Sequence, residues 1–244
     1  LFPRDLSEVN AEGTRVHYSP YNGEVLPGYM TTDTGFWDTF RSLFPLMNLV
    51  YPEQSVKVQE GLVNAYLESG FLPEWASPGH RGCMVGNNSA SVVADAYIDG
   101  IRGYDVEKLW EAVISGAHKV HPQVSSTGRL GWEYYDRLGY VPCNVGINEN
   151  AARTLEYAYN DWCIWQLGKQ LGKSDEELEP YRKAALNYKN LFNPKYNLMV
   201  GRNEDGTFSE PFSPLKWGGD FTEGNSLHYT WSVFHDVQGL ADLM

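Results

Sequence analysis

Apolar residues at helical spacing, joined by loops of very unequal length, restrict this chain more than its composition does. Residues 150–171 (NAARTLEYAYNDWCIWQLGKQL) form the longest such run, closed by Gly172. Residues 36–50 place Phe36, Phe40, Leu43, Phe44 and Met47 on one face, with Pro45 expected to bend the helix. Residues 55–70 align Val58, Leu62, Tyr66 and Leu67 and stop at Gly70. Residues 89–100 and 106–120 read as the next pair, and 175–192 as another segment with Ser174 as its N-cap. A last helix is expected from about Ser226 to Met244. The pattern breaks at 196–210, where Glu204-Asp205-Gly206 signals a hairpin. Residues 1–35, rich in Gly, Pro, Asn and Thr, read as a loop-rich lead-in with short extended pieces.

Paired helices of this kind, with long Gly/Pro-rich loops at 70–88, 121–148 and 195–223, describe an α/α toroid that collects its long loops at one rim. The expected fold class is all-α, part of a toroid or barrel, with a small β-hairpin insertion. The division expected is a lead-in at 1–35 and a helical catalytic region at 36–244.

Hydrophobic residues make up 42% of the 244 and charged residues 20%, which places the chain among folded proteins. A formal net charge of −12 leaves no Lys/Arg cluster to neutralise phosphates, so nucleic acid is excluded as a partner and anionic membrane surfaces are disfavoured. No apolar run is long enough to span a bilayer. The opening residues LFPRDLSEVN lack the basic and apolar regions of a signal peptide. Cys83, Cys143 and Cys163 are too scattered for a disulfide framework or a Cys-x-x-Cys site. They read as free thiols.

Eight Trp and sixteen Tyr beside acids are the vocabulary of a carbohydrate site, and residues 221–236 (FTEGNSLHYTWSVFHD) concentrate it. Aromatic faces meet the C–H faces of sugar rings, and a carboxylic acid can protonate a glycosidic oxygen. Glu223 is the candidate acid. A carboxylate that merely favours a helix N-terminus is an equal reading at this level, because the dipole favours the ionised form whereas an acid must hold its proton. His228, Trp231 and His235 share one face of the expected helix, with Asp236 one step round. They read as a sugar-contacting stripe or as a core helix with satisfied histidines, and their spacing makes a poor zinc site. Trp37-Asp38-Thr39-Phe40-Arg41 reads as a stacking Trp beside a hydroxyl-binding Asp/Arg pair, or as an ordinary i,i+3 ion pair. Residues 73–81 (PEWASPGHR) read as a rim loop, and Asn87-Asn88-Ser89 matches a glycosylation sequon. Glu149, Glu156 and Asp161 read mostly as caps and helix surface, and His118 and His121 as surface residues.

Several short segments carry a resemblance when taken in order. They are Gly35-Phe36-Trp37-Asp38-Thr39-Phe40-Arg41 with Pro45-Leu46; Ala94-Asp95-Ala96-Tyr97; Gly139-Tyr140-Val141-Pro142; Thr154-Leu155-Glu156-Tyr157-Ala158-Tyr159; and Thr222-Glu223-Gly224-Asn225, followed by Tyr229-Thr230-Trp231 and His235-Asp236-Val237. From about Gly28 to Met244 the chain resembles the catalytic region of glycoside hydrolase family 92, the calcium-dependent, inverting, exo-acting α-mannosidases. The resemblance implies an (α/α)6 barrel, Glu223 as general acid, and contacts to a mannose-containing glycan from Trp37, Asp38, Arg41, Asn225, His228, His235 and Asp236. It also implies calcium on the mannose 2- and 3-hydroxyls in the full-length enzyme, with no calcium ligand assigned here, and a periplasmic or secreted bacterial location. Only about half of the helices such a barrel requires are legible, and the family's Asp-Asp base motif is absent. The chain is therefore expected to be part of the barrel, cut after the acid-bearing segment and inactive alone. A non-catalytic helical glycan-binding protein and an inactive structural fragment are the rival readings.

Overall fold

A computed structural model describes residues 2–244. Among the described residues ten helices carry the fold: α1 (Phe36–Thr39), α2 (Leu43–Val50), α3 (Pro52–Ser69), α4 (Ser89–Ile98), α5 (Val106–Ala117), α6 (Trp132–Leu138), α7 (Asn150–Gln170), α8 (Asp175–Ala184), α9 (Ser226–Tyr229) and α10 (Val237–Leu243). Four small antiparallel sheets accompany them among the described residues, so the chain is mostly helical and not all-α.

Local chemistry sets several boundaries where the sequence puts them. α3 ends on Gly70 in the left-handed region (φ +77°), which a glycine adopts without steric penalty. The Ser174 hydroxyl accepts from Glu177 N at 3.2 Å and caps α8. α7 is buried on nearly every side because it bridges two cores. Its C-terminal half joins Phe36, Phe44, Leu62, Val93 and Leu109. Its N-terminal half joins Leu191, Met199, Phe221 and Tyr229 from the C-terminal third. α4 packs between α2 and α7, while α3 lies against α5 and α8 against α7. A buried ion pair, Arg129 to Asp161 at 2.8 Å, ties the segment before α6 to α7.

Several expectations need correction. Residues 36–50 are two helices, broken at Ser42 (φ −152°, ψ −45°). Pro45 sits in the first turn of α2, where its missing N–H costs nothing, so it bends no helix. The last helix is likewise two pieces, α9 and α10. The break is made by tertiary contacts: His235 Nε2 donates to Ala185 O at 2.7 Å, and Asp236 caps α10 while accepting from Tyr188 Oη at 2.7 Å. The 121–148 loop contains α6, flanked by left-handed Gly131 and Gly139. The hairpin signal at 204–206 resolves as a tight turn closed by one bridge, Arg202 to Phe208. A ladder occurs instead between Phe192–Asn193 and Leu198–Met199.

The lead-in is not detached. Strands Glu8–Val9, Arg15–Tyr18 and Val25–Pro27 form a meander, and buried His17 meets Glu68 of α3 at 2.8 Å. Thr34–Gly35 pairs with Trp75–Ala76, and Phe36 N donates to Glu74 O at 2.9 Å, so the 73–81 loop holds the start of α1. A Cβ on Gly35 would come within 2.0 Å of the Trp75 ring, which is why glycine precedes Phe36-Trp37. Glu74 itself is buried and accepts from Asn87 Nδ2 (2.8 Å), Ser89 N (2.9 Å) and Ser89 Oγ (2.6 Å), pinning that loop to α4. Asn87 and Asn88 are buried too, so the sequon leaves no room for an attached glycan.

Candidate active site

Glu223 lies on the short turn before α9. Its backbone is left-handed (φ +47°), unusual for a side chain other than Asn or Asp, and the residue is exposed while Thr222, Gly224 and Asn225 around it are buried. The turn is therefore held from below and turns the acid outward. Asn225 caps α9, its Oδ1 accepting from Leu227 N (3.1 Å) and His228 N (3.3 Å), while His228 Nδ1 accepts from Asn225 N at 3.2 Å. This reciprocal box fixes the acid's backbone without engaging its carboxyl.

Glu223 opens into a cavity of about 220 Å³ walled by Trp37, Arg41, Thr222, His228, Tyr229 and Ser232. The structure thus brings Glu223 together with Trp37, Arg41 and His228 of the residues chosen from sequence. Trp37 and Arg41 come from α1 and its C-terminal exit. Arg41 does not pair with Asp38: its Nε donates to Trp37 O at 3.0 Å and its Nη2 to Glu156 Oε1 at 3.2 Å. Asp38 is half-buried and does not line the cavity. The guanidinium lies over the rings of Phe40 (4.6 Å), Trp37 (4.9 Å) and Phe234 (5.3 Å).

His235 and Asp236 stand apart from this cavity. Burial lowers the His235 imidazole below its ordinary range, and its ring packs near Tyr159, Trp162 and Tyr188. The Tyr188 hydroxyl and the backbone of Gly239 hold Asp236 below the usual carboxylate range. Both organise the chain between α9 and α10. The single helical stripe of His228, Trp231 and His235 does not exist.

Sequence reading passed over Glu156. It is 2% exposed, not a surface acid, and burial pushes its carboxyl up against the opposing pull of Arg41, Asn88 and Trp37. Its signal was an acid set between Leu155 and Tyr157 in the first half of the longest helix. Asp161 is likewise buried, paired with Arg129. Asp95 was also missed: its carboxyl, pushed up to about 6 by burial and Asp99, lines a neighbouring cleft of about 330 Å³ that shares Arg41 with the Glu223 cavity. A larger cleft, about 510 Å³ between α6 and α8, offers less chemistry, since Asp161 is paired with Arg129 and Asp136 meets His118 at 2.9 Å.

The sequence profile described as the glycosyl hydrolase family 92 catalytic domain matches residues 1–244. The chain belongs to glycosyl hydrolase family 92. Among solved family 92 structures, an inverting mannosidase from Bacteroides thetaiotaomicron VPI-5482 is 52% identical and superposes with a TM-score of 0.97 over 100% of this chain and 33% of its own. A second family 92 α-mannosidase from Bacteroides thetaiotaomicron is 32% identical, with a TM-score of 0.85 over 93% of this chain and 30% of its own. A curated relative described as an uncharacterized secreted glycosidase, from Arthroderma benhamiae, is 33% identical over 65% of this chain and 21% of its own length. The chain thus spans about a third or less of the family 92 relatives it matches.

Calcium is implied by the family. Among the described residues no three His, Cys, Asp or Glu side chains converge to hold a metal ion. Glu223 is exposed on the cavity, while Glu156 is buried outside its lining and committed to Arg41, so the two carboxylates do not converge. These residues do not by themselves make a calcium site. No helix among the described residues is long and apolar enough to cross a membrane.

Proposed function

We propose that this chain supplies the acid-bearing part of the active site of an inverting exo-α-mannosidase acting on terminal α-mannosides of glycans, with Glu223 as general acid. The observation that carries the reading is the placement of Glu223: an exposed carboxyl on a strained, doubly capped turn, facing a cavity walled by Trp37, Arg41, His228 and Tyr229. A sugar ring would lie against the aromatic wall, with Arg41 and His228 donating to hydroxyls and Glu223 reaching the glycosidic oxygen. Asn225 serves the site by fixing the backbone beside the acid, whereas His235 and Asp236 hold the chain between α9 and α10. Inversion requires a second carboxylate about 6.5–9.5 Å from the acid to activate water. The family's Asp-Asp motif is not in this sequence, so that base comes from elsewhere in the enzyme. On the same reading residues 36–244 belong to an (α/α)6 catalytic barrel, with 1–35 leading into it. The description of the Arthroderma benhamiae relative as secreted supports a secreted location, and the family resemblance leaves a periplasmic one as the alternative.

The test is Glu223→Gln in the enzyme that carries this chain. Loss of a general acid removes about 10²–10⁴-fold of kcat/KM on mannosides with poor leaving groups, and far less on those with activated leaving groups that depart unprotonated. Equal losses on both substrate types would remove Glu223 from the role.

A further inference from the structure

Arg41 is the one cation on the wall of the Glu223 cavity, and its side chain is a third exposed. A long, flexible side chain in that position stays put only if something holds it. Two contacts do so: the Trp37 carbonyl at Nε and Glu156 Oε1 at Nη2. Glu156 reaches the cavity wall from α7, 115 residues away in sequence, and does not line the cavity itself. Its other oxygen, Oε2, is buried without a hydrogen bond, as are Trp37 Nε1, Thr222 Oγ1 and Tyr229 Oη. These polar atoms all belong to the cavity wall or to the carboxylate behind it. The charge of Glu156 is felt at Tyr229, whose hydroxyl is raised by burial first and by this neighbour second.

The surrounding fold makes room for this carboxylate. Gly86 is left-handed (φ +92°), and a Cβ there would meet Asn88 Nδ2 at 2.4 Å and the Glu156 Cβ at 3.1 Å. Asn160, one turn after Glu156 on α7, donates to Asn88 Oδ1 at 2.9 Å and accepts from Asn87 N at 2.8 Å, closing the far side. An ion pair between a buried carboxylate and a partly exposed guanidinium contributes little net stability, because desolvation of the acid offsets the attraction. What it does provide is placement.

We propose that Glu156 is a positioning residue of the Glu223 cavity, holding the Arg41 guanidinium against Trp37 and so setting the wall that meets the sugar. The proposal rests on the reading of that cavity as the sugar site, and its test separates the two. In protein labelled with 15N-arginine, the Arg41 Nε–H signal reports the guanidinium directly, and titration with methyl α-mannoside reports the cavity. Glu156→Gln keeps the shape of the side chain. It is expected to leave the melting temperature within a few degrees, to speed exchange of the Arg41 Nε–H about tenfold or more, and to weaken mannoside binding about tenfold, as loss of one charged hydrogen bond does. In the Arg41→Ala background, where the guanidinium is already gone, Glu156→Gln should cost almost nothing further, since Glu156 acts only through Arg41. Glu156→Asp, which withdraws the carboxylate by one methylene but keeps its charge, should loosen Arg41 to an intermediate degree and supplies the same readout if the glutamine variant does not fold. An Arg41 signal unchanged in the folded variants, or losses that add in the double variant, overturns the inference. If the unaltered protein binds no mannoside while Arg41 still responds to Glu156→Gln, the sugar-site reading falls and the positioning role stands.

Discussion

Gly35→Ala is the smallest change that should move the site from a distance. The backbone at Gly35 (φ −117°, ψ 122°) is extended and suits any residue, so alanine is not excluded by conformation. It is excluded by space: the added Cβ would lie 2.0, 2.2 and 2.5 Å from three atoms of the Trp75 ring. One of the two must shift, and overpacking of this kind costs about 1–3 kcal/mol. For a chain of this length that lowers the melting temperature by about 2–12 °C. Since Thr34–Gly35 and Trp75–Ala76 are paired and lead directly into α1, the displacement should carry Trp37 and Arg41 with it. The assay is urea unfolding of the wild type, Gly35→Ala, Trp75→Ala and the double variant. With the indole gone, Gly35→Ala should be close to neutral, giving a coupling of about 1–3 kcal/mol between the two positions. The reasoning fails if Gly35→Ala costs the same with and without Trp75, because the clash would then not be the cause.

Other outcomes follow from the buried charges. Burial pushes the Glu74 carboxyl up to about 7, against 4.5 when free, with Ser89, Asn87 and Arg129 opposing. The folded chain therefore binds a proton that the unfolded chain has released, so its contribution is fully present below pH 4.5 and is lost as pH rises through 7. Stability should fall across that window by at most roughly 3 kcal/mol, and Glu74→Gln should flatten the dependence in denaturant titrations at several pH values. Asp161→Asn leaves Arg129 buried without its anion and should cost about 3–5 kcal/mol in the same assay, whereas Arg129→Met with Asp161→Leu should cost markedly less. Asp236→Ala removes the α10 cap and about 1 kcal/mol of stability, yet mannoside affinity should be unchanged, because Asp236 does not border the Glu223 cavity.

What could be read from sequence was what neighbours in sequence decide. Gly70 and Ser174 act within one helical turn, and α7 is long enough for its periodicity to be unambiguous. Glu223 stands out as a candidate because aromatic and polar residues crowd the same sixteen-residue stretch. The breaks at Ser42 and between Tyr229 and Val237 were not legible. In the second case the helix is interrupted by bonds from His235 and Asp236 to Ala185 and Tyr188, partners that no local pattern reveals. α6 escaped because seven residues between two glycines look like loop. Glu156 reads as surface because an acid on a helix usually is, and its partner Arg41 lies in the turn after α1, far up the chain.

The cavity around Glu223 draws one wall from residues 37 and 41 and the other from residues 222–232. Between them lies almost the whole folded chain. A molecule seated there acts as a cross-brace joining the two ends of the polypeptide, and local unfolding of either end must first release it. At a ligand concentration a hundredfold above its dissociation constant, the brace would strengthen the entire fold by about 2.7 kcal/mol. Thermal denaturation of the intact protein is thus a gauge of occupancy at this one cavity, readable without any enzymatic turnover.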